Sequence, residues 1–368
     1  MSPGEGSENA SHSCTAICDF SLCSKVPRIG GSRFALRRAR GSRTARLVIT
    51  PVESWHSPHG RKLPVIGEHT LVMGILNVTP DSFSDGGQLQ DINAVLSRAA
   101  EMVNAGADVL DIGGESTRPG AAPVGEGEEL SRVLPAVRAV RARWPAIPIS
   151  IDTFKPRVAE AAVHAGADMV NDIWGLMHGF DSETRAAAIA ALRSTPVGEP
   201  EAWKPQPEAV AALPRSAMAA AVARLHCPVI LMHNRPDKAY ADFWTDLVAD
   251  LQLSVALARA SGIPGSHIWL DPGFGFAKSP PQNLDVIKHL ERIVALGFPV
   301  LVGTSRKSTL GKILGTTVDD RVEGTGATAV WSIERGCRMI RVHEVAVMKR
   351  FARMADAIKA GLDVKLSD

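Results

Sequence analysis

Eight times along this chain a short apolar run ends on residues able to do chemistry. In order, those ends are Asn77; Asp111, followed by Gly113-Gly114-Glu115-Ser116-Thr117-Arg118; Asp152; Asn171-Asp172; Met232-His233-Asn234; Asp271; Gly303-Thr304-Ser305-Arg306-Lys307-Ser308; and Arg341 with His343. They divide by charge. Asp152, Asn171 and Asp271 offer acceptors and one amide, which suits a flat heterocycle with several N–H donors, because a carboxylate takes two parallel hydrogen bonds from a guanidine-like edge. Lys307, Arg341, His343 and Arg118 offer positive charge, as a phosphate or diphosphate requires. Ser305 to Ser308 also precede an apolar pattern, Leu310, Ile313 and Leu314. A helix starting there aims free N–H groups at an anion. Asn77 offers a neutral oxygen to a hydrated Mg²⁺ carrying a diphosphate. The competing reading makes Asp152, Asp271 and Lys307 a buried ion-pair network that supports the fold without doing chemistry. No Ser-His-Asp or Cys-His arrangement is needed for either reading.

Those positions require a scaffold that delivers strand ends to one place. The apolar runs are 71–76, 109–112, 149–151, 169–170, 229–232, 268–270, 300–302 and 339–342, with amphipathic helix patterns between them. Asp91 is expected to cap a helix whose apolar face is Ile92, Val95, Leu96, Ala99 and Val103, stopped at Gly106. Asn283 is expected to cap another, with Leu284, Ile287, Leu290 and Val294 inward and Gly297 as the stop. The last helix is expected to set Val347, Met348, Phe351, Met354 and Ile358 on one apolar face before Gly361. Eight such units indicate an α/β fold, a (β/α)₈ TIM barrel whose strand ends share one rim. The rival, a doubly wound open sheet, usually carries G-x-G-x-x-G after an early strand, and that motif is missing here.

Composition narrows the class. An apolar content of 45% and a charged content of 22% are ordinary for a globular chain of 368 residues. No apolar run reaches the roughly 18 residues of a membrane span, so no membrane partner is expected. Residues 28–46 hold seven arginines and no acid. Residues 1–64 read as an extension outside the fold: a disordered tail or an over-early start first, an organelle transit peptide second, RNA binding a distant third. No nucleic-acid partner is therefore expected. Cysteines at 14, 18, 23, 227 and 337 show no metal-ligand spacing, and their odd number fits a reducing compartment, hence the cytoplasm.

The segments ILNVTPDSFSDGG (75–87), DIGGESTRPG (111–120), SIDTFKP (150–156), NDIWG (171–175), LMHNR (231–235), LDPGFGFAK (270–278), GTSRKS (303–308) and RVHEV (341–345) resemble dihydropteroate synthase over about residues 68–360. The resemblance implies a (β/α)₈ barrel, usually a dimer, that joins 4-aminobenzoate to 6-hydroxymethyl-7,8-dihydropterin diphosphate in folate biosynthesis, with Mg²⁺, and that sulfonamides block. It implies that Asp152, Asn171, Asp271 and Lys307 hold the pterin, with Met232 and Gly303 against it and Arg341 stacked on its other face. Arg118, Arg341 and His343 would bind the diphosphate, and Asn77 the metal. Thr117, Pro119, Phe276, Lys307 and Ser308 would form the aminobenzoate site. Asp152, Asp271, Lys307 and Arg341 would carry catalysis, by dissociative C–O cleavage. The chain departs from the family pattern in an insertion near 180–225, where an added stretch around residues 196–215, flanked by Ala-rich helical segments 182–193 and 215–224, is expected to sit outside the barrel. No pterin kinase segment flanks the barrel, so a single function is expected. A pterin-binding methyltransferase domain and a silent paralogue are the alternatives.

Overall fold

Val, Ile, Leu and Met dominate the eight runs, and each run becomes a parallel strand buried on both faces, as strands wrapped by helices must be. The computed structural model describes residues 55–79, 88–116, 122–192 and 207–364. The strands are β1 (Leu71–Asn77), β2 (Val109–Gly113), β3 (Ile149–Asp152), β4 (Met169–Asp172), β5 (Val229–Met232), β6 (Ile268–Asp271), β7 (Leu301–Val302) and β8 (Met339–Val342). They pair in the order β6-β5-β4-β3-β2-β1-β8-β7, and a parallel bridge from Leu270 to Val300 brings the two end strands together. This is the expected (β/α)₈ barrel.

The helices are α1 (Gln88–Asn104), α2 (Glu126–Arg143), α3 (Pro156–His164), α4 (Ser182–Leu192), α5 (Pro207–Ala211), α6 (Ala217–Leu225), α7 (Phe243–Ala260), α8 (Pro280–Lys288), α9 (Glu291–Val294), α10 (Ser308–Leu314), α11 (Val322–Glu334) and α12 (Val345–Ala360). Most core residues lie between strands and helices. A second cluster, Leu71, Met73, Val109, Met169, Ile230, Trp269, Leu301 and Met339, fills the ring interior with Trp55 and Leu63. Side chains alternate faces along a strand, so residues two places on from these also point inward. Besides Ile75, those residues are Asp111, Asn171, Met232, Asp271, Gly303 and Arg341. The interior is apolar at its floor and polar at its rim.

Several local expectations need correction. Asp91 lies inside α1, which starts earlier, at Gln88. The cap of α8 is Ser279, whose hydroxyl accepts from the Gln282 N–H while the Gln282 side chain answers the Ser279 N–H. Asn283 is instead a buried brace, accepting from the Gly275 N–H at 2.6 Å. Leu284, Met354 and Ile358 face solvent rather than the core. The barrel also begins before residue 65: the Trp55 and Trp269 rings lie 5.0 Å apart, and the Ser57 hydroxyl donates to buried Asp168 at 2.6 Å. Residues 193–206 of the insertion lie outside the described residues, and of the helices that flank them, α6 packs between α3 and α7 and α4 packs on α7.

Candidate active site

Inside the rim is a cavity whose empty space, with open solvent at its mouth included, is about 330 Å³. It is lined by Asp152, Asn171, Met232, Asp271, Phe276, Gly303, Lys307 and Arg341, every one singled out in the sequence, together with Ile173 and Phe274, which were not. Strand register explains the convergence. Asp152 of β3 stands opposite Asn171 of β4, and Met232 of β5 stands opposite Asp271 of β6.

Asn77 ends β1 opposite Gly113, and Gly113 stands opposite Asp152, which sets all three on one stretch of rim. His343 follows β8 and Ser308 starts α10; neither lines the cavity itself, though each is within two residues of a group that does. Thr117, Arg118 and Pro119 lie outside the described residues, as does most of the loop from Thr79 to Gly87.

Electrostatics divide the cavity. Arg341 donates from Nε to Asp111 Oδ2 and from Nη2 to Asp152 Oδ2, each at 2.5 Å. Burial works against the guanidinium charge, but Asp111 and Asp152 overcome it and hold its pKa above the usual arginine range. The Asp152 carboxyl is pushed up to about 7, chiefly by burial, against the pull of Arg341 and with the help of the negative charges of Asp111 and Glu129. Burial likewise raises Asp271 to about 6, opposed by the Gly273 N–H that its Oδ1 accepts at 2.7 Å. On the other wall the Lys307 ammonium sits 4.0 Å from the Phe276 ring centroid, a cation–π contact. Gly275, at φ +86°, gives that lysine its path, since a Cβ there would come within 3.0 Å of Lys307 Cδ.

Three partners behind the cavity were not distinguished in the sequence. Asp111 accepts from both Arg341 and Asn171 Nδ2, the latter at 3.1 Å, and so orients two lining residues at once. Its place at a strand end was visible, but many such residues only cap a turn. His233 is fully buried, with Nε2 3.1 Å from Asp250 Oδ2 on α7 and Nδ1 2.8 Å from Lys278 Nζ. Burial presses His233 down to about 3, so the ring is neutral, donating to Asp250 and accepting from Lys278. Lys278 is lowered to about 7 by burial and also donates to the carbonyls of Gly273 and Phe276, pinning the loop that carries Asp271 and Phe276. Nothing in LDPGFGFAK marks that lysine as buried, because its partner His233 follows β5, 45 residues earlier.

The pterin binding enzyme family matches residues 73–197 and 210–343. The chain is 44% identical over 291 residues to dihydropteroate synthase of Bacillus subtilis, covering 79% of this chain and 89% of that protein. It is 42% identical over 294 residues to that of Clostridium beijerinckii, covering 80% and 96%. The chain belongs to the dihydropteroate synthase family. It is a transferase of folate biosynthesis, condensing 4-aminobenzoate with 6-hydroxymethyl-7,8-dihydropterin diphosphate to give 7,8-dihydropteroate and pyrophosphate. Among solved structures, the Clostridium difficile synthase in the presence of pteroic acid superposes with a TM-score of 0.67 at 39% identity, covering 80% of this chain and 98% of that one. The Xanthomonas albilineans synthase with 4-aminobenzoic acid gives 0.65 at 39% identity, covering 80% and 94%. Neither the methyltransferase nor the silent-paralogue alternative is favoured.

Proposed function

We propose that the cavity divides its substrates as its charges divide. Asp152, Asn171 and Asp271 accept the N–H edge of the pterin, Met232 and Gly303 lie against the ring, and Arg341 stacks on its other face. Lys307 bridges the pterin and aminobenzoate ends, and Phe276 and Ser308 frame the aminobenzoate with Thr117 and Pro119. Arg341 and His343, with Arg118, take the diphosphate. The observation that carries this reading is the pairing, in one cavity, of two buried carboxylates with a cationic wall.

Cleavage of the methylene C–O bond runs ahead of attack. Arg341 and His343, with Arg118, take up charge developing on the leaving pyrophosphate. Asp152 and Asp271 balance positive charge spreading into the pterin, and the arylamine attacks the exposed methylene carbon. No side-chain nucleophile takes part. Among the described residues no group of three or more His, Cys, Asp or Glu side chains is placed to cage a metal. A single amide oxygen from Asn77 fits Mg²⁺ that keeps its waters and arrives on the diphosphate. When bound, the ion would withdraw charge from the leaving group.

Two copies of the chain are inferred to pair through α11 and α12, packed helices on which Trp331, Met354 and Ile358 stay 49%, 60% and 64% exposed. A cytoplasmic setting fits the buried, unbridged Cys227 and Cys337. The test is pyrophosphate release from pterin diphosphate, with and without 4-aminobenzoate, by wild type and Lys307→Ala. Aminobenzoate-dependent release should fall by about a hundredfold in the variant, as expected for losing a contact to both substrates. An unchanged rate would remove Lys307 from the site.

A further inference from the structure

The chain just after β7 and the chain just after β8 are stapled together by Ser305, Arg306, His343 and Glu344. Ser305 is 4% exposed, and its Oγ lies 2.9 Å from His343 Nδ1, accepts the His343 backbone N–H at 3.2 Å, and reaches Glu344 Oε2 at 3.4 Å. The next residue, Arg306, has φ +58°, a left-handed conformation that is strained for a non-glycine residue. Its surroundings hold it there. Arg306 Nε donates to Glu344 Oε1 at 2.6 Å, and its carbonyl accepts from Arg321 Nη1 at 2.8 Å. Gly311 makes room for that guanidinium, since a Cβ at 311 would come within 2.3 Å of Arg321 Nη2. The strained turn is thus fixed from two sides, and its result is to face Ser305 toward His343.

Ser305 has one proton to give, and its Oγ already accepts the His343 N–H. The nearer acceptor for that proton is Nδ1 of His343, at 2.9 Å against 3.4 Å for Glu344. A ring nitrogen that accepts at Nδ1 carries its own proton on Nε2. Arg98 Nη2 holds the His343 carbonyl at 2.8 Å, so the backbone that bears the ring is also fixed.

We propose that Ser305 is a positioning residue that holds His343 as the Nε2–H tautomer, so that the ring serves as a hydrogen-bond donor to the leaving diphosphate. This rests on the reading that His343 meets that group. Glu344 and Arg306 act through Ser305, by keeping the two strand ends in register.

The test uses the full chain as wild type, Ser305→Ala, Ser305→Thr, His343→Ala and the Ser305→Ala/His343→Ala double variant. Affinity for inorganic pyrophosphate is measured by calorimetry, KM for 4-aminobenzoate by kinetics, and the histidine tautomers by ¹⁵N chemical shifts, with His343 assigned by its loss in His343→Ala. His343 should show a proton on Nε2 in wild type and lose that preference in Ser305→Ala. Ser305→Ala should weaken pyrophosphate binding about tenfold, the size of one hydrogen bond, with the aminobenzoate KM unchanged and recovery in Ser305→Thr. On the His343→Ala background it should cost nothing more. An Nδ1–H tautomer in wild type, or the same tenfold loss without His343, overturns the proposal. If His343→Ala alone binds pyrophosphate as wild type does, the diphosphate reading itself fails, and that result is separable from the others.

Discussion

In the proposed pterin contact, Asp152 and Asp271 each offer both oxygens as acceptors to the N–H edge, which only the ionised carboxylate can do, yet burial holds them protonated to about pH 7 and 6. The kcat/KM for pterin diphosphate should therefore be level above about pH 7 and fall as pH drops through the 7-to-6 window, far above an ordinary carboxylate limb. A pH profile that stays flat down to the ordinary carboxylate range would sink this assignment. The stability of the ligand-free protein should run the other way. A carboxyl whose folded pKa is raised binds a proton more tightly folded than unfolded, so its contribution is full below the usual value of 3.8 and is lost as pH rises through about 7. Thermal melts across that window should show the loss for wild type and a smaller one for Asp152→Asn.

Six strands, β2 and β4 to β8, carry an apolar floor residue two places before a rim residue, so the site is as rigid as the ladder that carries it. The connecting loops reach the same rigidity by close approach. At Gly273, φ is +68° and a Cβ would lie 2.0 Å from the His233 carbonyl oxygen. Gly273→Ala should cost about 1–3 kcal/mol from the backbone conformation alone, and more from the clash. A urea midpoint equal to wild type would show that the loop can move away from His233. Helix caps obey different constraints. Ser279 outcompetes Asn283 for the end of α8 because Pro280 and Pro281 favour the first helical turn, and Gln282 completes the reciprocal cap.

Across the whole molecule, the segment before β1 closes the barrel floor. Trp55 and Leu63 are 3% and 6% exposed against the ring interior. Removing residues 1–54 should leave pyrophosphate release intact, whereas removing 1–64 should cost several kcal/mol, on the order of deleting a buried tryptophan. Equal stability of the two truncations would show that the floor needs no plug. The exposed side chains of α11 and α12 set the second test at this scale. Sedimentation should report a dimer for wild type and a shift toward monomer for Ile358→Glu, since a charge at that face opposes apolar burial. A monomeric wild type would discard the pairing.

What the sequence determined alone was the repeat and its chemistry. Strands buried on both faces read as unbroken apolar runs, and the polar residue ending each run stands out by contrast, which is why Asp152, Asn171, Asp271, Lys307 and Arg341 were legible before any fold was known. The tertiary structure decided everything that depends on what packs behind a residue. Met354 and Ile358 lie at helical spacing but face outward, because periodicity fixes a stripe and not the element it meets. Asp111 clamps Arg341 across 230 residues, and Lys278 is buried against His233 across 45, through contacts made only when the barrel closes. Ser305 likewise meets His343 only because β7 and β8 are neighbours in the ring. Local pattern carries the identity of a site residue. The partner that sets its charge and direction is brought to it by long-range strand pairing.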